Sequence, residues 1–295
     1  MVDNELIKEE SSIIGNGING LKPLKDIERS IIKTYRKHIW TKFIKGLQEF
    51  EMLNEGDKVA VAISGGKDSL LLAKLFQELQ AHSKYDFEVV FIAMDPGYAP
   101  EKRRQLEEIT KYLNIPTHIY DSDVFAVAEK VSEENPCYMC GRMRRGSLYS
   151  KAQELGCNKL ALGHHRDDVI ETVLLNVLCS GNYKTMMPKL KSKNFEGMEL
   201  IRPMYFVEEE YIHRFFRSTG LEPLDCACTV TSKTEDMGKR AEIKELIKTL
   251  TKTFDNVESS IMRSAYNVEI GSIIGWKDIE GNENSFLDFY ENRRN

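Results

Sequence analysis

Residues 58–76 read KVAVAISGGKDSLLLAKLF, and this stretch decides the fold. Val59–Ile63 is a short apolar run, β-branched at alternate positions, of the kind that forms a strand covered on both faces. Ser64–Ser69 follows as a glycine-containing turn, and Leu70–Gln80 continues at helical spacing. Gly65 and Gly66 accept positive φ and close backbone approach, so successive N–H groups can converge on an anion. The helix behind them adds the positive end of its dipole. Ser64 and Ser69 supply hydroxyls, Lys67 a point charge, and Asp68 a carboxylate able to hold Mg2+ on a polyphosphate. A glycine pair alone is more often an ordinary tight turn. The whole strand–SGGKDS–helix arrangement favours a phosphate cradle, with a spacing unlike G-x-x-x-x-G-K-[ST].

Outward from this unit, strands and helices alternate. Glu88–Met94 and Thr117–Tyr120 read as strands around a charged helix, Glu101–Leu113. Gly141–Leu155 then reads as a helix, Lys159–Leu162 as a strand and Asp167–Cys179 as a helix. The pattern predicts an α/β fold, a parallel sheet with helices on both faces. Upstream, residues 1–22 read as a polar arm, and 26–49 as one helix with a basic outer face. Residues 181–198 read as a basic loop. Beyond Arg202-Pro203 lie three helical stretches, Glu208–Ser218, Lys239–Thr253 and Asn256–Asn267, and the tail from Glu269 shows no period.

A second loop, LALGHHRDDVIET (160–172), also follows a strand and opens a helix. Gly163, His164, His165, Asp167 and Asp168 would face the crevice at the carboxyl ends of the strands, where open α/β sheets bind ligands. Its carboxylates are equally good helix caps. In PCYMCGRMRRG (136–146), Cys137 and Cys140 could share one metal ion. A four-cysteine zinc site needs a second suitable pair, and the only near-pair is Cys226-Ala-Cys228. Three cysteines can hold a 4Fe-4S cluster and leave one iron open. The residues by themselves leave cluster, zinc site and redox pair open. Cys157 and Cys179 are expected to be buried as small hydrophobes.

Composition limits the remaining classes. The 295 residues carry 41 Lys+Arg and 46 Asp+Glu, a net charge of -5, with 41% hydrophobic residues. That permits a sizeable core and excludes a disordered acidic chain. It argues against coating nucleic acid by bulk charge, yet leaves local basic patches: Arg142/Arg144/Arg145, Lys184/Lys189/Lys191/Lys193, and Lys33/Arg36/Lys37/Lys42/Lys45. Six cysteines are too few and too scattered for a disulfide scaffold. No apolar run is long enough for a membrane span and MVDNELIKEE has no signal-like core, so a cytoplasmic location without membrane contact is expected.

SGGKDS resembles the PP-loop of the ATP pyrophosphatase superfamily. The ordered series SGGKDS, PCYMCGRMRRGSLY, LALGHHRDDVIETVLLN, MMPKLKS and IRPM resembles the tRNA 2-thiocytidine synthetase family over about residues 26–268. The resemblance implies a Rossmann-like PP-loop fold with an N-terminal arm and helix (1–50), an ATP-binding α/β domain (51–206) and a small C-terminal helical region (207–295). It implies ATP bound by Ser64, Gly65, Gly66, Lys67, Asp68, Ser69, Gly163, His164 and Arg145. Lys67, Asp68, Asp168 and Arg144 would be catalytic, with Asp68 and Asp168 holding Mg2+. A 4Fe-4S cluster would sit on Cys137, Cys140 and Cys226, with Cys228 the alternate, because CxC stands where many relatives have a CxxC-like element. The implied reaction adenylates the C2 oxygen of a tRNA cytidine, at anticodon-loop position 32, and inserts sulfur from sulfide or a cysteine desulfurase. A homodimer is compatible with it. The rival readings are uridine thiolation, adenylation of a small molecule, sulfur trafficking without ATP, and a non-enzymatic ATP- and cluster-binding redox sensor.

Overall fold

The computed structural model describes residues 20–83, 86–124, 136–224 and 235–290. Along the chain run α1 (Leu24–Ile32), a π-helical turn (Arg36–Trp40), α2 (Thr41–Glu49), β1 (Lys58–Ala62), α3 (Lys67–His82) and β2 (Glu88–Asp95). Then come α4 (Pro100–Tyr112), β3 (Thr117–Asp121), α5 (Pro136–Glu154), β4 (Lys159–Ala161), α6 (Arg166–Ser180), β5 (Lys189–Lys191) and β6 (Glu199–Ile201). The chain continues with α7 (Glu209–Thr219), α8 (Glu235–Thr253), α9 (Val257–Ser264), β7 (Gly275–Lys277), β8 (Glu283–Ser285) and α10 (Leu287–Tyr290).

The central sheet has the order β3-β2-β1-β4-β6-β5. All its pairings are parallel except β5 with β6. From β1 the chain fills one side through β2 and β3, then crosses to β4 on the other. The crevice between the carboxyl ends of β1 and β4 is therefore the topological switch point. Val59↔Lys159 through Val61↔Ala161 are in register, so the loops leaving β1 and β4 emerge side by side.

Side chains alternate across the sheet. Val59, Val61 and Ile63 join Ile27, Phe43, Leu71, Phe76, Leu106 and Phe215 in the larger core. Ala60 faces the other way, into the layer where α5 supplies Tyr149 and Ala152 against Leu160 and Leu200. A third cluster joins Val169 and Ile170 of α6 to Ile243 and Ile247 of α8 and Met262 of α9. Lys74 of α3 is buried, and its ammonium donates to Glu28 Oε1 (2.7 Å), Gln77 Oε1 (2.7 Å) and the Leu113 carbonyl (3.0 Å). This full set of partners lets a charge sit under α1 without a desolvation penalty left uncompensated.

The single helix expected over 26–49 is broken. Its buried residues Ile27, Ile31, Ile39, Phe43 and Leu47 recur at multiples of four. Each such step drifts by about 40° on a regular helix, roughly 200° from first to last. The wide turn after Ile32 absorbs that drift, and it frees the Tyr35 hydroxyl to donate to the Arg214 carbonyl at 3.0 Å. The basic loop expected over 181–198 contains β5, a polar edge strand, and β6 follows it. The tail contains a β7–β8 hairpin whose turn is closed by Asp278 Oδ1, accepting from the Glu280 and Asn282 N–H groups at 2.9 Å each. Cys157 is buried as expected, but Cys179 is exposed, because the last turn of α6 runs past the helices covering its middle.

Candidate active site

The β1–α3 turn is held from inside. Ser69 Oγ donates to the Gly66 carbonyl (2.9 Å) and accepts from the Ser64 N–H (3.1 Å), while the two hydroxyls lie 3.1 Å apart. Gly65 has φ +80°, and a Cβ there would meet Leu224 at 2.9 Å and Leu106 at 3.1 Å, so glycine is required by backbone and by space. At the start of α3, the Lys67 ammonium lies 3.3 Å from Asp68 Oδ2 and 3.3 Å from Glu209 Oε1.

The loop leaving β4 presses against this turn. A Cβ on Gly163 would stand 3.1 Å from the backbone carbon of Asp68 and from the nitrogen of Ser69. Backbone cannot rotate away as a side chain does. Gly163→Ala is therefore expected to lower stability by about 1–2 kcal/mol and to weaken nucleotide binding as the two loops part. Urea unfolding and nucleotide titration of the variant check both effects.

Between the loops stands His165, only 4% exposed. Its Nε2 is 3.8 Å from Asp68 Oδ1, and its Nδ1 is 3.7 Å from Asp167 and 3.5 Å from Asp168. The His165 N–H donates to Asp168 Oδ2 at 2.9 Å, so Asp168 caps α6 while lying at the crevice. Asp68 Oδ1 and His165 Nδ1 are buried without a hydrogen-bond partner. Burial pushes the Asp68 carboxyl above its ordinary range despite the nearby His165 and Lys67.

Helices α7 and α8 close a third side that sequence reasoning missed. Glu209 accepts from Lys244 as well as facing Lys67, and its own N–H donates to Asp167 Oδ2 at 2.8 Å. Burial alone would raise the Glu209 carboxyl, but Lys244, His165 and Lys67 hold it down to about 2. Arg240 approaches Asp168 Oδ1 at 3.4 Å and Glu171 at 3.7 Å. Arg166, inside the second motif, points away to Glu208 (3.0 Å) and Glu258 (3.3 Å) and ties α6 to α7 and α9. In sequence, Glu208–Glu210 looks like nothing more than acids in a first helical turn.

On the β6 side, Arg202 Nε donates to His164 Nδ1 at 3.3 Å. Burial, with the Arg202 charge beside it, lowers the His164 imidazole from 6.5 to about 4. Because the folded value lies below the unfolded one, this group's effect on stability is complete below pH 4 and absent above 6.5. His164 thus destabilises the fold progressively as pH falls through that window, by at most about 3 kcal/mol. His164→Gln should remove this part of the pH dependence, measured as urea midpoints at pH 7 and pH 5.

Beyond the geometry, the sequence has relatives. The PP-loop domain family matches residues 38–225. The tRNA-cytidine(32) 2-sulfurtransferase of Pelobacter propionicus is 37% identical over 226 residues, 76% of this chain and 83% of that protein. The enzyme of the same name from Citrifermentans bemidjiense is 37% identical over 227 residues, 76% of this chain and 88% of that protein. The chain belongs to the tRNA-cytidine(32) 2-sulfurtransferase family. It is a PP-loop enzyme, a sulfurtransferase. Among solved structures, the U34-tRNA thiolase NcsA from Methanococcus maripaludis with its [4Fe-4S] cluster superposes with a TM-score of 0.61 at 23% identity, covering 78% of this chain and 79% of that one. This likeness shows the shared fold.

Within this sulfurtransferase, the structure brings Ser64–Ser69, Gly163, His165, Asp167 and Asp168 to one crevice. Arg144 is half-buried and Arg145 exposed on α5. Cys137 and Cys140 are three residues apart in the first turn of α5, and Cys226 and Cys228 lie outside the described residues. The Lys184–Lys193 cluster divides. Lys189 is engaged by the Glu51 carbonyl at 2.7 Å, and Lys191 and Lys193 line a groove of about 590 Å³ with Asn158 and Lys159, at the amino ends of β4 and β6. Arg36 and Lys45 flank a separate groove of about 670 Å³ beside Trp40 and Ile44. Among the described residues, no helix is long and apolar enough to cross a membrane.

Proposed function

We propose that this chain uses ATP to adenylate the C2 carbonyl oxygen of a cytidine in tRNA, at anticodon-loop position 32, and exchanges that oxygen for sulfur. The reading is carried by one observation: the phosphate-binding turn and the GHHRDD loop meet at the switch point of a chain of this family. Ser64–Ser69 and Gly163 cradle the nucleotide, and Lys67 neutralises charge on the β- and γ-phosphates. The C2 oxygen attacks the α-phosphorus, the bond to the bridging oxygen breaks, and pyrophosphate departs. Arg144 balances charge on the α-phosphate during this step, with Arg145 adjacent on the helix. Hydrosulfide sulfur then bonds to C2 and AMP leaves with the original oxygen. Oxide is too poor a leaving group without the first step.

The acids fit a divalent cation: Asp68 Oδ1 is buried and unpartnered, and Asp168 lies across His165 from it. When bound there, Mg2+ offsets polyphosphate charge. Cys137 and Cys140, on one helical turn, supply thiolates suited to iron, with Cys226, or Cys228 in its place, as third ligand. A 4Fe-4S cluster held by these three thiolates would supply a Lewis-acid iron position for hydrosulfide. Sulfide or a cysteine desulfurase supplies the sulfur, and the enzyme works in the cytoplasm, with a homodimer as its assembly. Nucleoside analysis of tRNA from a strain lacking the gene tests the reading: 2-thiocytidine should disappear. Loss of a thiouridine instead would transfer the assignment to that base.

A further inference from the structure

Among the described residues, Arg202 has no counter-ion. It is 8% exposed, at the carboxyl end of β6, and no carboxylate among the described residues lies within 4 Å of its guanidinium. Nε is given to His164 Nδ1 (3.3 Å) and Nη1 to the Met187 carbonyl (2.5 Å), both neutral acceptors. Nη2 makes no hydrogen bond among the described residues, and it is not among the buried atoms sealed from solvent. A buried charge normally carries a paired acid, so the missing partner calls for one from outside. The surroundings add to that demand. Arg145, exposed on α5 and also without an ion pair among the described residues, is close enough for the two positive charges to repel. Burial and then that repulsion lower Arg202 to about 10.

We infer that His164 and Arg145, expected from the resemblance to bind ATP, instead form with Arg202 a phosphate site whose ligand is a backbone phosphodiester of the RNA substrate. His164 takes part as a donor: with Nδ1 accepting from Arg202, the neutral ring carries its proton on Nε2. The location selects RNA over nucleotide. Arg202 leaves β6, two strands from the β1 turn that holds the polyphosphate, about 10 Å along the sheet. It lies on the side away from β2 and β3, next to the loop preceding β5. A phosphodiester anchored there would fix the register of the strand whose base enters the crevice, a positioning role. This inference rests on the proposed RNA substrate.

The test uses the full-length protein, ATP, and an unmodified synthetic anticodon stem-loop RNA. Arg202→Gln should weaken RNA binding about 10- to 100-fold, with nucleotide affinity in the absence of RNA falling no more than about twofold. The slope of log K against log salt should become shallower by about 0.7 for the lost contact. Arg145→Gln, at an exposed position that cannot unfold the core, should shift RNA affinity and slope in the same direction. Unchanged RNA affinity in both variants overturns the site, and so does a loss of nucleotide affinity equal to the loss for RNA, which would assign the anion to the α-phosphate. Failure of the wild-type protein to bind the RNA would instead refute the proposed substrate, and this inference with it.

Discussion

Asp68→Asn is expected to slow RNA-dependent pyrophosphate release by about 10²–10³-fold while leaving the fold intact, measured as pyrophosphate formed per enzyme under saturating ATP. Asparagine keeps the volume and one acceptor but removes the charge from the centre of the crevice. That charge faces three groups: Lys67 at 3.3 Å, His165 at 3.8 Å, and the cation that its unpartnered Oδ1 would hold. The wild-type enzyme carries a further signature. Burial raises the Asp68 carboxyl, so its protonation on the acid side begins at a higher pH than for an ordinary aspartate. In the metal-free protein the Asp68 carboxyl should therefore titrate above the usual carboxylate range, followed by NMR, and Asp68→Asn should remove that titration. A variant that retains full pyrophosphate release would remove Asp68 from the adenylation centre.

The second large effect separates the two half-reactions. Cys137→Ala and Cys140→Ala are each expected to abolish sulfur insertion while the protein still binds ATP, because the proposed phosphate cradle stands on β1, α3 and β4 and contains no cysteine. Cys226→Ala should behave in the same way; sulfur insertion surviving in it would move the third ligand to Cys228. Cys179→Ala, on the exposed end of α6, should leave both half-reactions unchanged. Iron and inorganic sulfide content of the anaerobically purified variants gives a readout independent of activity. About one zinc per chain in the wild type, without iron, would overturn the cluster.

The sheet was legible because its information is local. Val59, Val61 and Ile63 declare a strand, Gly65 and Gly66 a turn with an exposed backbone, and the leucines after Ser69 a helix buried on all sides. The same holds for the β4–α6 junction at Gly163–Asp168. What stayed hidden depends on long-range approach. Glu209 matters because α7 lays it against Lys67, far away in sequence, and Arg240 because α8 crosses α6. Arg202 stands in the IRPM motif with no role assigned from sequence, and its burial without an acid among the described residues marks it out. The broken first helix was hidden for a different reason. Four-residue spacing reads as helical over any short window, and its cumulative drift shows only when all five buried residues must face one sheet.

The most direct measurement is a thiolation assay on unmodified tRNA with anaerobically reconstituted protein, ATP and sulfide, followed by nucleoside mass analysis. The predicted result is 2-thiocytidine at anticodon-loop position 32, formed with AMP and pyrophosphate and only when ATP is present. Sulfur on a uridine, sulfur incorporation without ATP, or no incorporation by protein carrying its full complement of iron would contradict it.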